Sequence, residues 1–188
     1  MLKSFIGAIG AFVLLTAGAL AGDKPLTEDQ AQRFVKTLPV LETFGKELEA
    51  EGKMEEFRIS TEPMVDQEFK PYTSAITVLK EKHPADHARL GNMLKPHGFA
   101  ADEWAGVGDR VVIAWMALKM DEENPGAIAQ MEAMDESMLD MMPENMKAQF
   151  ERARIMVETV KSASPEDKAV VATVKDDLDE YMESQSQS

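Results

Sequence analysis

Apolar residues recur every three or four positions through most of this 188-residue chain, and that spacing leaves helix packed on helix as the economical way to bury them. Period-two alternation and the Val/Ile/Thr-rich runs of strands are scarce. The pattern predicts an all-α fold, and its punctuation divides it into helices. Thr27 with Gln30 is a capping-box pair, and Ala31, Phe34, Val35 and Leu38 follow at helical spacing. Pro39 ends or kinks this helix, after which Val40, Leu41, Phe44 and Leu48 continue an apolar face until Gly52. A helix is expected from about Val65 to Lys82, carrying Phe69, Tyr72, Ile76 and Leu79. His83-Pro84 then opens a short helix that closes at Pro96-His97-Gly98.

The clearest helix follows. Trp104, Val107, Val111, Trp115 and Leu118 share a narrow arc of the helical wheel, so two tryptophans anchor one stripe. Asn124-Pro125-Gly126 separates it from a Met-rich helix beginning near Ala127. Pro143 opens another, with Met146, Phe150, Ala153, Val157 and Val160 on its buried face. Ser164-Pro165-Glu166-Asp167 starts the last, with Val170, Val171, Val174, Leu178 and Tyr181 turned inward. With no convincing repeat and short connections, the expectation is one compact bundle of about six or seven helices.

Residues 1–21 stand apart and read as a signal peptide. Lys3 supplies a basic n-region, Phe5 to Leu20 are apolar or small, and Ala19-Leu20-Ala21 is a small-x-small site for cleavage after Ala21. The apolar run, 16 residues with Gly and Thr inside it, falls short of the roughly 20 that span a bilayer. Leu20-Ala21-Gly22 approaches a lipoprotein site, but Asp23 stands where the lipid-bearing cysteine is required. The expected organisation is therefore a cleaved leader over 1–21, a single helical domain over 22–183 and a disordered polar tail over 184–188. No membrane anchor is expected after cleavage. The absence of an Asn-x-Ser/Thr sequon favours a bacterial periplasm, or secretion beyond it.

The chain has no cysteine, so an exported protein of this size must hold itself by core burial alone. Its formal charge is −14, and loss of Lys3 with the leader makes it −15. Such a balance repels phosphate backbones and anionic lipid surfaces, which argues against nucleic-acid and membrane-surface partners.

Methionine is the compositional anomaly. Of 14, six lie between Met131 and Met146. Met131, Met134, Met138, Met141 and Met142 fall within about a 100° arc of the wheel, which is how a core-facing stripe reads. Asp135 lies in the same arc and fits an incompletely buried face, making Met134, Met138 and Asp135 candidates for an adaptable partner surface. Thioethers in an oxidising compartment are also soft ligands for Cu(I), so the five methionines are candidate metal ligands. His83 and His87, with Asp86 between them, have metal-ligand spacing, although Pro84 puts His83 at the helix cap and no third ligand is identifiable. Solvated or capping histidines are the plainer reading.

Gly106-Val107-Gly108-Asp109-Arg110 follows no strand and lacks the context of a phosphate fingerprint; glycine there suits the close approach of a neighbouring helix, with Asp109 and Arg110 available for ion pairs. The acidic clusters do not follow a calcium-loop pattern. With no cysteine, no Gly-x-Ser-x-Gly elbow and no serine–histidine motif, no catalytic residue and no cofactor are expected.

The run Leu26-Thr27-x-x-Gln30, Arg33-Phe34-Val35 and Leu38-Pro39, then His97-Gly98-Phe99, Glu103-Trp104, Val107 to Val111 and Met116 to Met120, resembles a group of small, exported, all-helical bacterial proteins of unknown function. The resemblance implies export and a helical fold and carries no activity or site residue. The expected function is a non-enzymatic module that binds another protein or its own copies, with a periplasmic copper-binding protein as the alternative.

Overall fold

A computed structural model describes residues 25–53, 68–133 and 143–186 of the chain. The described residues hold α-helices and one 3₁₀ turn, and no strand. The expected leader lies outside them, as do Met134, Asp135, Met138, Met141 and Met142.

In chain order the helices are α1 (Glu28–Val35), α2 (Leu38–Ala50), α3 (Pro71–Lys82), α4 (Pro84–Leu94), α5 (Ala101–Glu123), α6 (Ala127–Glu132), α7 (Glu144–Lys161), α8 (Pro165–Ala172) and α9 (Lys175–Ser186). Joined across one-turn breaks, α1 with α2 and α8 with α9, the helices of the described residues give seven stretches, within the six or seven expected. The first break falls at Lys36-Thr37, ahead of Pro39, which occupies the first turn of α2 where a missing N–H is harmless. α9 runs on to Ser186, into the stretch expected to be a disordered tail, and the Ser184 hydroxyl donates to the Tyr181 carbonyl at 2.7 Å.

Local chemistry sets most starts. At α1 the Gln30 N–H donates to Thr27 Oγ1 (3.2 Å) while the Thr27 N–H donates to Gln30 Oε1 (3.1 Å), the reciprocal box expected. At α8 the Ser164 hydroxyl oxygen accepts from the Asp167 N–H at 3.0 Å, with Pro165 in the first turn. α3 is the exception. It begins at Pro71, not near Val65; Glu68 to Lys70 are not helical, and the first free N–H groups of the helix are bound by a carboxylate on α5.

α5, 23 residues and about 35 Å long at ~1.5 Å per residue, is the central strut, packed against α1, α3, α4, α7 and α8. Trp104, Val107 and Val111 are buried along it, while Trp115 and Leu118 are partly covered. The core gathers around an aromatic triad. Phe34 and Trp104 are stacked with centroids 5.7 Å apart, and Tyr72 meets both edge-on, at 5.5 and 5.3 Å. Leu90, Leu94 and Phe99 belong to the same core, as do Val171, Val174 and Leu178 from α8 and α9 and the turn between them.

α7 departs from its expected face. Val157 and Val160, in its C-terminal half, are buried, but Met146 is 48% exposed and Phe150 and Ala153 are half-buried. Helical spacing gives the direction of a face and not the length of helix that a neighbour covers. Among the described residues no helix is long and apolar enough to cross a membrane.

Candidate functional site

Consecutive residues on α5, Gly108, Asp109 and Arg110, organise a large polar feature of the molecule. Gly108 is where α5 meets the aromatic triad: a Cβ there would stand 2.7 Å from Phe34 Cε2 and 3.0 Å from the Tyr72 ring, closer than carbon atoms tolerate. The close approach expected of this glycine is thus made by two aromatic side chains.

Asp109 is buried, and backbone N–H groups hold it. Its Oδ1 accepts from the Tyr72 N–H at 2.7 Å, and Oδ1 and Oδ2 share the Thr73 N–H at 3.4 and 3.3 Å. A side chain from α5 therefore caps α3, supplying the acceptor that Lys70, in the cap position, does not. Burial pushes the Asp109 carboxyl above its ordinary value, outweighing the hydrogen bonds from Thr73 and Tyr72 and the nearby charge of Lys70, which pull the other way.

Arg110 grips Asp167 with two parallel bonds, Nε to Oδ2 at 2.9 Å and Nη2 to Oδ1 at 2.6 Å. Asp167 Oδ1 also accepts the Leu26 N–H at 2.9 Å, so one carboxylate, 8% exposed, fastens the entry of α1 and the middle of α5 to the start of α8. The sequence places Asp167 in the acidic first turn of a helix; its long-range partners have no local signature.

Between these fixtures runs a groove of about 590 Å³. Its walls are the segment from Glu68 to Thr73 before and within α3, the α5 face from Asp102 to Ile113, and the turn from Ser162 to Asp167 between α7 and α8, with Pro25 at one end. Phe69, Ile113 and Ala163 give it an apolar side. Because Asp109 is spent on a helix terminus and Asp167 on Arg110 and Leu26, the two buried carboxylates shape the groove. The arrangement can hold a ligand.

The residues singled out for metal chemistry are placed differently. His83 lies between α3 and α4, and its carbonyl accepts the N–H groups of Asp86 and His87, both at 3.0 Å. Asp86 is buried and engaged by Lys53 Nζ at 2.8 Å and, as an ion pair without hydrogen-bond alignment, by Arg89 Nη2 at 2.9 Å; His83 Nδ1 lies 4.0 Å away. His87 Nε2 is buried without a hydrogen-bond partner among the described residues. Among those residues no three His, Asp or Glu side chains come together as a metal site. Met131 is half-buried near the end of α6. Lys53 and Arg89 also reach Glu51, at distances of hydrogen bonds, which holds the Glu51 carboxyl below its ordinary value.

Comparison with protein-family models, curated proteins and solved structures finds no match to this chain.

Proposed function

We propose that this chain is an exported, periplasmic or secreted helical module that binds another protein or its own copies and performs no catalysis. The observation that carries the reading is Met146, a large apolar side chain 48% exposed at the start of α7, immediately after the Met-rich segment. Half-buried Met131 stands before that segment, so methionines with solvent access flank it on both sides. Flexible thioether side chains adapt to irregular apolar partners, and Asp135 within the Met131–Met142 arc suits a face meant to meet water when free. The leader features of residues 1–21 and the strongly acidic balance support export and disfavour nucleic acid.

Charge substitution at Met134 and Met138 tests the reading. Association, read by sedimentation and by crosslinking in the periplasm, is expected to be lost while the helical circular dichroism and the unfolding midpoint stay unchanged. Unfolding of the variant would assign the stripe to the core. The copper alternative rests on the same methionines and separates cleanly, because Met→Leu at positions 131, 134, 138, 141 and 142 keeps apolar contact but removes the sulfur ligands. Stoichiometric capture of Cu(I) from a coloured chelator by the wild type alone would replace the partner surface with a metal site. N-terminal sequencing of the exported protein, expected to begin at Gly22, tests the leader.

A further inference from the structure

We propose that the groove between α3, α5 and the α7–α8 turn is a binding site for a small amphipathic organic cation, an ammonium group carried on an apolar body. Its volume, about 590 Å³, falls within the roughly 300–1,000 Å³ of small-molecule sites. Phe69, Ile113 and Ala163 are among its lining residues and supply apolar contact of the kind such sites use.

The charge of the ligand follows from how firmly each charged group lining the groove is already held. Arg110 is matched by Asp167, and Asp109 faces the positive end of α3, whose N–H groups it accepts. That leaves Glu68, Asp102 and Glu166, contributed by three separate segments, against Lys70 alone. Two of these carboxylates are held by solvated ion pairs, Glu68 with Lys70 at 2.7 Å and Asp102 with Lys80 at 3.0 Å, all four side chains being about half exposed or more. Exposed pairs of this kind contribute ~0–1 kcal/mol, so a ligand ammonium displaces a lysine at little cost. The overall charge of −14 deepens the preference for a cation and disfavours phosphate or carboxylate ligands.

A bare metal ion fits poorly, because among the described residues no three acidic or histidine side chains converge. Carboxylates spread along an apolar wall suit a cation with a body. Two of its walls are held in place by contacts of their own, the α3 side by Asp109 and the α8 side by Asp167, which lowers the cost of binding.

The experiment is a titration of the isotope-labelled full-length protein with 2-phenylethylammonium, 2-phenylethanol and phenylacetate, followed through the backbone amides. The ammonium is expected to shift Phe69, Thr73, Asp109 and Ile113 saturably, the alcohol to bind about two- to fivefold more weakly and phenylacetate not at all. The double variant D102N/E166Q should weaken the ammonium several-fold and leave the alcohol unchanged. E49Q/D177N, the same change of charge at exposed positions on α2 and α9, should leave both unchanged. Equal binding of all three probes, shifts outside the groove, or equal loss in E49Q/D177N would overturn the assignment. The Met146 face plays no part in the test, so its outcome leaves the partner-binding proposal standing or falling by its own experiment.

Discussion

The indole N–H of Trp104 donates to the hydroxyl oxygen of Thr37 across 2.7 Å, and neither residue has meaningful contact with solvent. Thr37 in turn donates its own proton to the Phe34 carbonyl at 2.6 Å, so one hydroxyl closes the α1–α2 break and satisfies the largest side chain in the core. Thr37→Val keeps the shape and removes both bonds, leaving a buried indole N–H without a partner. The expected loss is ~1–3 kcal/mol in urea unfolding, with Thr37→Ser recovering most of it.

Glycines inside helices ordinarily give up stability, and here two of them should behave oppositely. A methyl group added at Gly91 would meet only open space, so Gly91→Ala should raise stability by ~0.5–1 kcal/mol through backbone entropy. Gly108→Ala gains the same intrinsic preference but drives carbon to 2.7 Å from Phe34 and 3.0 Å from Tyr72. Displacing two rings of the central triad should outweigh it, for a net loss of ~1–3 kcal/mol, read as a lower thermal midpoint and altered near-ultraviolet dichroism.

Asp109 predicts a pH dependence of definite sign. Its folded carboxyl titrates above the ordinary value, so the folded state binds this proton more tightly than the unfolded chain does. Stability from this group is therefore greatest at low pH and falls as pH rises from about the ordinary carboxylate range through the raised folded value. Asp109→Asn keeps an oxygen for the Tyr72 and Thr73 N–H groups without the buried charge. The variant should match wild type in acid and equal or exceed it at neutral pH, while Asp109→Ala loses ~1–3 kcal/mol at every pH. Unfolding midpoints from pH 3 to 8 decide the matter; a variant advantage that grows toward acid would contradict the sign.

The Arg110–Asp167 grip should show strong non-additivity. Asp167→Ala removes both bonds to a guanidinium that is 28% exposed and frees the Leu26 N–H, for an expected ~2–4 kcal/mol, toward the lower end for breaking a buried pair because Arg110 keeps some water. Arg110→Ala leaves Asp167 with Leu26 and should cost less. The double variant should cost little more than Asp167→Ala alone, a coupling measurable by a double-mutant cycle.

Most of the fold is legible in the sequence because its signals are local. Thr27 with Gln30, Ser164 with Asp167, and prolines at 84 and 165 act within one turn of their own positions, and the helices begin there. The start of α3 is not, because nothing in residues 65–71 shows that the acceptor for Tyr72 and Thr73 comes from Asp109, 37 residues from Tyr72. The exposure of Met146 escapes the sequence for a related reason: α7 has one apolar stripe, and how far along it α5 and α6 reach depends on tertiary packing. The groove is least legible of all. Its walls are contributed by residues near 25, 70, 106 and 164, each ordinary in its own neighbourhood.

The bond from Leu26 to Asp167 spans 141 positions, so its two ends are synthesised far apart in time. A chain that emerges amino end first presents α1 long before its fastener exists, and Leu26 stays unlatched until Asp167 has appeared. α5, likewise, is made before Asp167, the carboxylate that Arg110 grips. Arrival of α8 therefore completes the clasp, and a chain cut short before residue 165 would keep the aromatic triad of α1, α3 and α5 but lose the carboxylate that ties Leu26 and Arg110 to α8.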